Sequence, residues 1–360
     1  MNKKFKIIFK EWLLIIIGWI GILYFLMFIS YWGLRHLLKE NALTEYLDSG
    51  YIHLEAFMTA IIFGTLFAII NTLTDTSRMR KKSFGAIIAI RSSLYITAFS
   101  IAVIIIYLVY SYFNIISEKQ WQETFTYFTP LYSISIATYL VLAIISMNFI
   151  LQVSRKFGPG NLLKLISGKY SNPKNEKRIF MFLDLKGSTA IAESLGHQRY
   201  STLMQNCFHD LTDIVIKYNA SIYQYVGDEV VLSWDLKNGL KNLNCIKAYF
   251  AYYKKLQGHQ DYYLKKFELL PYFKCGLDCG EVTVAEIGDL KREIAYHGDV
   301  LNTAARIEKK CTPLNKKMII SEYLEKELPE NLDGFTKELI GEIELKGKKD
   351  KINLFSIEYL

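Results

Sequence analysis

Four long apolar stretches, all of them ending by about Val153, decide what this chain can fold into. They run from Trp12 to Trp32, Ala56 to Leu73, Ser92 to Phe113 and Phe128 to Val153, and each is nearly free of charge. A helix needs about 20 such residues to cross a hydrocarbon layer roughly 30 Å thick, so each stretch predicts one membrane span. Trp12, Trp32, Tyr51, Tyr110 and Tyr112 fall near the ends, where aromatic side chains sit at the lipid boundary. The first stretch is too long for the apolar segment of a cleaved signal peptide and lacks a small-residue cleavage site, so it reads as an anchor.

Lys and Arg distribution orients the spans. The N-terminus carries Lys3, Lys4, Lys6 and Lys10, the second connection carries Arg78, Arg80, Lys81, Lys82 and Arg91, and the segment after the fourth span carries Arg155, Lys156, Lys164 and Lys169. The other two connections carry Glu40, Glu45, Asp48, Glu118 and Glu123 with fewer basic residues. The expected topology is a multi-pass protein of the cell (inner) membrane, in contact with the lipid bilayer, with the N-terminus and the C-terminal half both cytoplasmic. Much of the net charge of +8 is then juxtamembrane and faces anionic lipid. No basic patch interleaved with aromatics stands out, which argues against a nucleic-acid partner. Glu55 and Arg91 lie at span heads, close enough to an interface to snorkel.

Phe157-Gly158-Pro159-Gly160 ends the fourth helix, Asn161 to Ile166 predicts a short helix with an apolar face, and the polar run from Ser171 to Lys177 reads as a connector. The expected organisation is a four-span transmembrane domain (1–153), a juxtamembrane helix and linker (154–175) and a C-terminal domain (176–360). All five cysteines fall in that last part, where a cytosolic setting disfavours disulfides and the Cys275/Cys279 spacing is not a zinc pattern. They read as small buried hydrophobes.

Hydrophobic periodicity predicts a strand over Arg178–Leu185, a helix over Ser188–Tyr218 with Gly196 as its break, a hairpin around Gly227-Asp228, and a helix over Asn242–Lys265. Strands over Pro271–Leu277 and Glu281–Ile287, a helix over Asp299–Lys309, and a closing strand, short helix and two strands complete an α+β fold. Asp184 ends the first strand just before Lys186-Gly187-Ser188-Thr189, and Asp228 sits in the hairpin turn. Two carboxylates at the ends of neighbouring strands, beside a small-residue turn, can hold two hard divalent cations for phosphoryl or nucleotidyl transfer. Taken alone, an Asp in a Gly-Asp turn is as readily a turn residue.

Four motifs in order resemble the class III nucleotidyl cyclase domain: Asp184 with Lys186-Gly187-Ser188-Thr189, Val226-Gly227-Asp228-Glu229, Gly276-Leu277-Asp278-Cys279-Gly280-Glu281, and Gly298 through Arg306. The resemblance covers Glu176 to Leu360 and implies a ferredoxin-like βαββαβ core behind the N-terminal four-helix transmembrane region. It implies an adenylate cyclase that converts ATP to 3′,5′-cyclic AMP and pyrophosphate. Asp184 and Asp228, with the Leu185 carbonyl, would bind two Mg²⁺ or Mn²⁺ ions, and Gly187, Ser188 and Thr189 would cradle the triphosphate. By the same resemblance Asn302 orients the ribose, Arg306 stabilises charge on the α-phosphate, and Lys346 contacts the triphosphate, with Lys348 as its substitute. The family's sites are shared between two subunits, so a homodimer is implied.

The chain departs from the pattern where the base is read. Gln224 stands where adenylyl cyclases of this class carry a lysine, and Ala295 where they carry Asp or Thr; the Glu and Cys of guanylyl cyclases are absent as well. Gln224 can donate and accept, while Ala295 makes no side-chain hydrogen bond. GTP, or loose specificity, is therefore the alternative to ATP, and a catalytically weak cyclase-like regulatory module is the alternative to an enzyme. Gly227-Asp228-Glu229 also echoes the turn of diguanylate cyclases, but the Asn302/Arg306 helix has no counterpart there.

Overall fold

The structure is a computed structural model that describes residues 3–34, 51–76, 79, 82–112, 130–157, 161–290, 292–344 and 351–360. The chain divides into two compact units, Met1–Leu162 and Leu163–Leu360.

The first unit contains four helices, α1 (Lys3–Leu34), α2 (Tyr51–Leu73), α3 (Phe84–Tyr112) and α4 (Pro130–Phe157), each long and apolar enough to cross a membrane. α1 packs on α2, and α3 on both α2 and α4. Ile15, Trp19, Phe63, Phe67, Ala68, Tyr95 and Ile144 fill the interior. Large apolar side chains such as Leu14, Ile62, Ile104 and Phe149 stay outside, the pattern of helices whose surroundings are as apolar as their core.

Arg91 does not snorkel. Its side chain is buried in the bundle, and its Nε donates to Thr74 Oγ1 at 3.0 Å. Neighbouring helices bring further polar groups together there. Asn71 Nδ2 and Arg155 Nη2 both donate to Glu11 Oε1, at 3.0 and 3.1 Å, and Asn148 Nδ2 donates to Ser92 Oγ at 3.1 Å. The Arg91 charge therefore has polar neighbours inside the bundle and has no need to reach an interface. The Glu55 side chain lies outside the described residues.

α5 (Asn161–Ile166) spans the boundary, and the second unit continues β1 (Lys174–Leu185), α6 (Ser188–Lys217), β2 (Ser221–Val226), β3 (Glu229–Asp235), α7 (Leu236–Leu240), α8 (Asn244–Gly258), α9 (Gln260–Phe267), β4 (Phe273–Ile287), β5 (Glu293–His297), α10 (Asp299–Lys310), β6 (Met318–Ser321), α11 (Glu322–Glu327), β7 (Phe335–Ile343) and β8 (Ile352–Tyr359). The strands form an eight-stranded sheet in the order β2-β3-β1-β4-β6-β8-β7, with β5 also paired to β4.

β1 alternates across the sheet. Ile179, Met181, Leu183 and Leu185 join the larger core with α6, α8 and α9, while Phe180 and Phe182 join a second core that includes Val300 and Ala304 of α10. Gly276 of β4 makes the second packing possible. A Cβ there would lie 2.2 Å from the Glu308 backbone nitrogen and 2.5 Å from the Ala304 carbonyl oxygen, so only glycine lets α10 approach the sheet so closely.

Several details differ from the sequence expectation. β1 begins at Lys174, inside the polar run that reads as a connector, because Lys174–Lys177 pair with Val284–Glu281 of β4. The stretch around Gly280 is one 15-residue strand, because β4 pairs continuously with the whole length of β1. β5, absent from the expectation, is a short strand that pairs antiparallel with the second half of β4. The helix expected over Asn242–Lys265 breaks at His259 into α8 and α9. As expected, Gly196 interrupts α6, with φ 71° and ψ 160°, and all five cysteines are free and buried.

Candidate active site

Strand register builds the site. Opposite Asp184 on β1 stand Glu229 on β3 and Lys274 on β4, so three charged side chains form one row across adjacent strands. The row continues the β1 face that carries Phe180 and Phe182, the face against which α10 packs. From α10, Glu308 adds a fourth charge: Lys274 Nζ lies 2.7 Å from Glu308 Oε1 and 3.3 Å from Asp184 Oδ2.

Asp228 comes from the two-residue turn between β2 and β3, where Gly227 takes the left-handed φ of 64° that the turn requires. Asp228 lies close enough for its charge to act on the Asp184 carboxyl. Burial, followed by the charge of Asp228, raises the Asp184 carboxyl above its usual range despite Lys274. Glu229 is pushed up to about 7 by burial and then by Asp184 and Glu308. Carboxylates thus outnumber the cations that pair with them, and such a site favours an added cation.

After Asp184 the chain turns through Gly187, whose φ of 73° starts α6 with no side-chain cap. The first-turn N–H groups of that helix are therefore free of a capping side chain, the arrangement that receives phosphate oxygens. Ser188, Thr189, Glu193, His197, Tyr200 and Asp228 line an open cleft of about 460 Å³ beside this turn. Burial, with the nearby charges of Asp228 and Asp184, pushes the Tyr200 phenol up to about 12.

The donor chemistry fits a hard divalent ion. Among the described residues no three His, Cys, Asp or Glu side chains converge as a cage. Mg²⁺ commonly takes only one or two carboxylates, with water and substrate phosphate completing its shell, and Asp184 with Asp228 supplies that pair. The Leu185 side chain is buried in the core, so only its backbone is available to the site.

The remaining predicted residues lie elsewhere. Asn302 and Arg306 sit on the side of α10 turned away from Ala304 and Glu308, and no described contact joins them to Asp184 or Asp228. Gln224 is exposed on β2 and Ala295 is buried on β5. Their neighbours meet: Tyr223 and Tyr296 cross edge to face at 5.0 Å, with Phe180 5.3 Å from Tyr296, so the curled sheet brings β2 and β5 together. Lys346 and Lys348 lie outside the described residues. Sequence reasoning missed Lys274, Glu229, Glu308 and Tyr200. The lysine left a signal, a cation beside the apolar residues Phe273, Cys275 and Leu277 at the head of β4.

Residues 171–358 match the family model described as the adenylate and guanylate cyclase catalytic domain. "Adenylate cyclase 2" of Rhizobium meliloti (strain 1021) is 32% identical over 225 residues, which cover 62% of this chain and 62% of that protein. The structure of a bacterial light-regulated adenylyl cyclase superposes with a TM-score of 0.54 at 20% identity, covering 65% of this chain and 67% of that one, a likeness of fold.

Proposed function

The chain belongs to the adenylate and guanylate cyclase catalytic domain family, and from that premise we propose that it is a membrane-anchored adenylate cyclase acting as a homodimer. The ribose 3′-oxygen of ATP attacks the α-phosphorus, the bond from that phosphorus to the β-phosphate bridging oxygen breaks, and cyclic AMP and pyrophosphate result. The 3′-hydroxyl proton passes to solvent. The observation that carries this reading is that Asp228 lies near enough to raise the Asp184 carboxyl, beside the uncapped start of α6.

Asp184, Asp228 and the Leu185 carbonyl would hold two Mg²⁺ or Mn²⁺ ions. When bound, these supply Lewis-acid activation of the 3′-hydroxyl and neutralise charge on the departing pyrophosphate. Backbone N–H groups of Gly187, Ser188 and Thr189 hold the triphosphate, and Lys346 adds a charge to it. Asn302 orients the ribose and Arg306 stabilises the α-phosphoryl charge. Their separation from the aspartates within one chain supports a site completed by a second copy. Gln224 faces the base and Ala295 lines its pocket. The four apolar helices anchor the enzyme, and the Lys/Arg distribution supports a cytoplasmic N-terminus and catalytic domain.

Full-length protein in membrane vesicles, given ATP or GTP with Mn²⁺, tests the reading by mass spectrometry of the product. Cyclic AMP from ATP is expected, and lost in Asp228→Asn. Ala295 offers the base no hydrogen bond, so weak discrimination against GTP is expected as well. No cyclic product from either nucleotide would sink the enzymatic reading in favour of a regulatory module.

A further inference from the structure

β2 carries one residue more than the stretch of β3 it pairs with. Ile222 stands opposite Leu232 and Gln224 opposite Val231, so Tyr223 has no partner in the ladder and forms a β-bulge. Residues directly opposite each other share a face of the sheet. Ile222 packs with Leu232 in the larger core, on the α6 side, and Tyr225 returns to that side, 4.7 Å from Phe208 of α6. Tyr223 and Val231 belong to the second core, and Val231 stands opposite Phe182. Tyr223 and Gln224 therefore both lie on the face of Phe180, Phe182 and Asp184. Regular alternation would have set Tyr223 opposite Val231 and Gln224 opposite Val230, on the α6 side. The extra residue decides which face Gln224 joins.

The Tyr223 ring holds that arrangement. It is half-buried, crosses Tyr296 edge to face at 5.0 Å and lies 6.4 Å from Phe180. Phe180 closes the cluster at 5.3 Å from Tyr296, and the Arg178 guanidinium lies 4.9 Å from the Tyr296 ring. Within the sheet, β3, β1 and β4 separate β2 from β5. The two tyrosines bridge those strands over one face. Tyr223 directly precedes Gln224 and Tyr296 directly follows Ala295, so their contact ties together the two strands that carry the residues assigned to the base. The contact is between rings and needs no hydroxyl.

We propose, on the reading that Gln224 faces the base, that Tyr223 is a positioning residue for the purine: its contact with Tyr296 clamps β2 to β5 and presents the Gln224 amide to the base edge. An amide pairs well only when its donor and acceptor point along set directions, so a β2 strand released from the clamp would hold the base less tightly. Tyr223 acts through Gln224 and touches no metal ligand in this scheme. Its loss would weaken substrate capture more than turnover.

Full-length protein in membrane vesicles, given ATP with Mn²⁺, tests this through a double-mutant cycle. Gln224→Ala and Tyr223→Leu should each raise KM for ATP about fivefold, the scale of one ring contact or neutral hydrogen bond, with a smaller change in kcat. In a Gln224→Ala background, Tyr223→Leu should add less than about twofold, because the group it positions is gone. Tyr223→Phe keeps the ring and should restore the wild-type KM. Circular dichroism checks folding, and Tyr296→Leu, which breaks the same contact from β5, carries the test if Tyr223→Leu does not fold. Effects of Tyr223→Leu and Gln224→Ala that multiply in full, or a Tyr223→Phe enzyme as impaired as Tyr223→Leu, would reduce Tyr223 to a structural role and overturn the proposal. So would a wild-type KM in Tyr223→Leu beside a raised one in Gln224→Ala, which leaves the base assignment standing. A wild-type KM in Gln224→Ala would remove the base assignment and the proposal with it.

Discussion

The Lys274 ammonium lies 2.7 Å from the Glu308 carboxylate, with 12% and 2% of the two side chains exposed. The pair joins α10 to the sheet beside Asp184, 3.3 Å from Lys274. Removing one member of a buried pair leaves the other uncompensated, typically at about 3 kcal/mol or more. Lys274→Met should destabilise the folded protein by roughly that amount, and adding Glu308→Gln should recover part of the loss. Chemical denaturation in excess chelator reads both variants. Unchanged stability in Lys274→Met would show that the pair does not hold the helix.

Gly276→Ala should be among the most damaging small substitutions in the second unit. The new methyl would meet main-chain atoms of α10, which can yield only by moving the helix. A loss of about 3 kcal/mol is expected, the upper range for overpacking. Gly280→Ala is the comparison, since its Cβ would meet only Val300 Cγ2, at 2.8 Å, in a side chain that can rotate. It should lose about 1 kcal/mol. Denaturation midpoints in the opposite order would contradict this account of the helix–sheet contact.

Glu176 provides a pH-dependent contribution. Burial alone would raise its carboxyl, but hydrogen bonds from Tyr170, Arg178 and Lys169 outweigh it and hold the group below its usual value of 4.5. Tyr170 and Arg178 each approach it at 2.9 Å. Because the folded value is depressed, the stabilisation is fully present above pH 4.5 and disappears as pH falls through the folded value. Glu176→Gln should therefore be less stable than wild type at neutral pH, by about 1 kcal/mol for a partly screened cluster. The gap should close in acid; one that stays constant with pH would rule out the carboxylate as its source.

Asp228→Asn and Arg306→Ala should each abolish cyclic nucleotide production, yet mixtures of the two chains should regain it. In a symmetric dimer with shared sites, half of randomly formed dimers are mixed and carry one site built from intact halves. About a quarter of wild-type activity is then expected from co-expressed variants. Failure of the mixture, with dimers present on a sizing column, would place all the catalytic groups within one chain.

Much of the fold was legible because its signals are local. Apolar length alone marked the four helices, and period-two runs marked β1 and the β2–β3 hairpin. Gly196 betrayed the break in α6 because its conformation is one that other residues rarely adopt. In sequence β4 looks like two strands because Gly280 suggests a break, whereas continuous pairing with β1 carries the strand through it. Local sequence puts Arg91 at an interface, because its partner, Thr74, lies on the other side of a connection whose path only the fold fixes.

The sequence by itself determined the sites of the charges: Asp184 before a small-residue turn, Asp228 in a hairpin, Asn302 and Arg306 one helical turn apart. Tertiary structure alone decided their balance. Glu229, Asp184 and Lys274 form a row only because three strands pair in one register, and Glu308 reaches it only because Gly276 lets α10 come close. Tyr223 and Tyr296 likewise meet only because the curled sheet brings β2 and β5 together. Electrostatic and hydrogen-bond energies depend on distance through space, and chain position does not encode that distance until the backbone has folded.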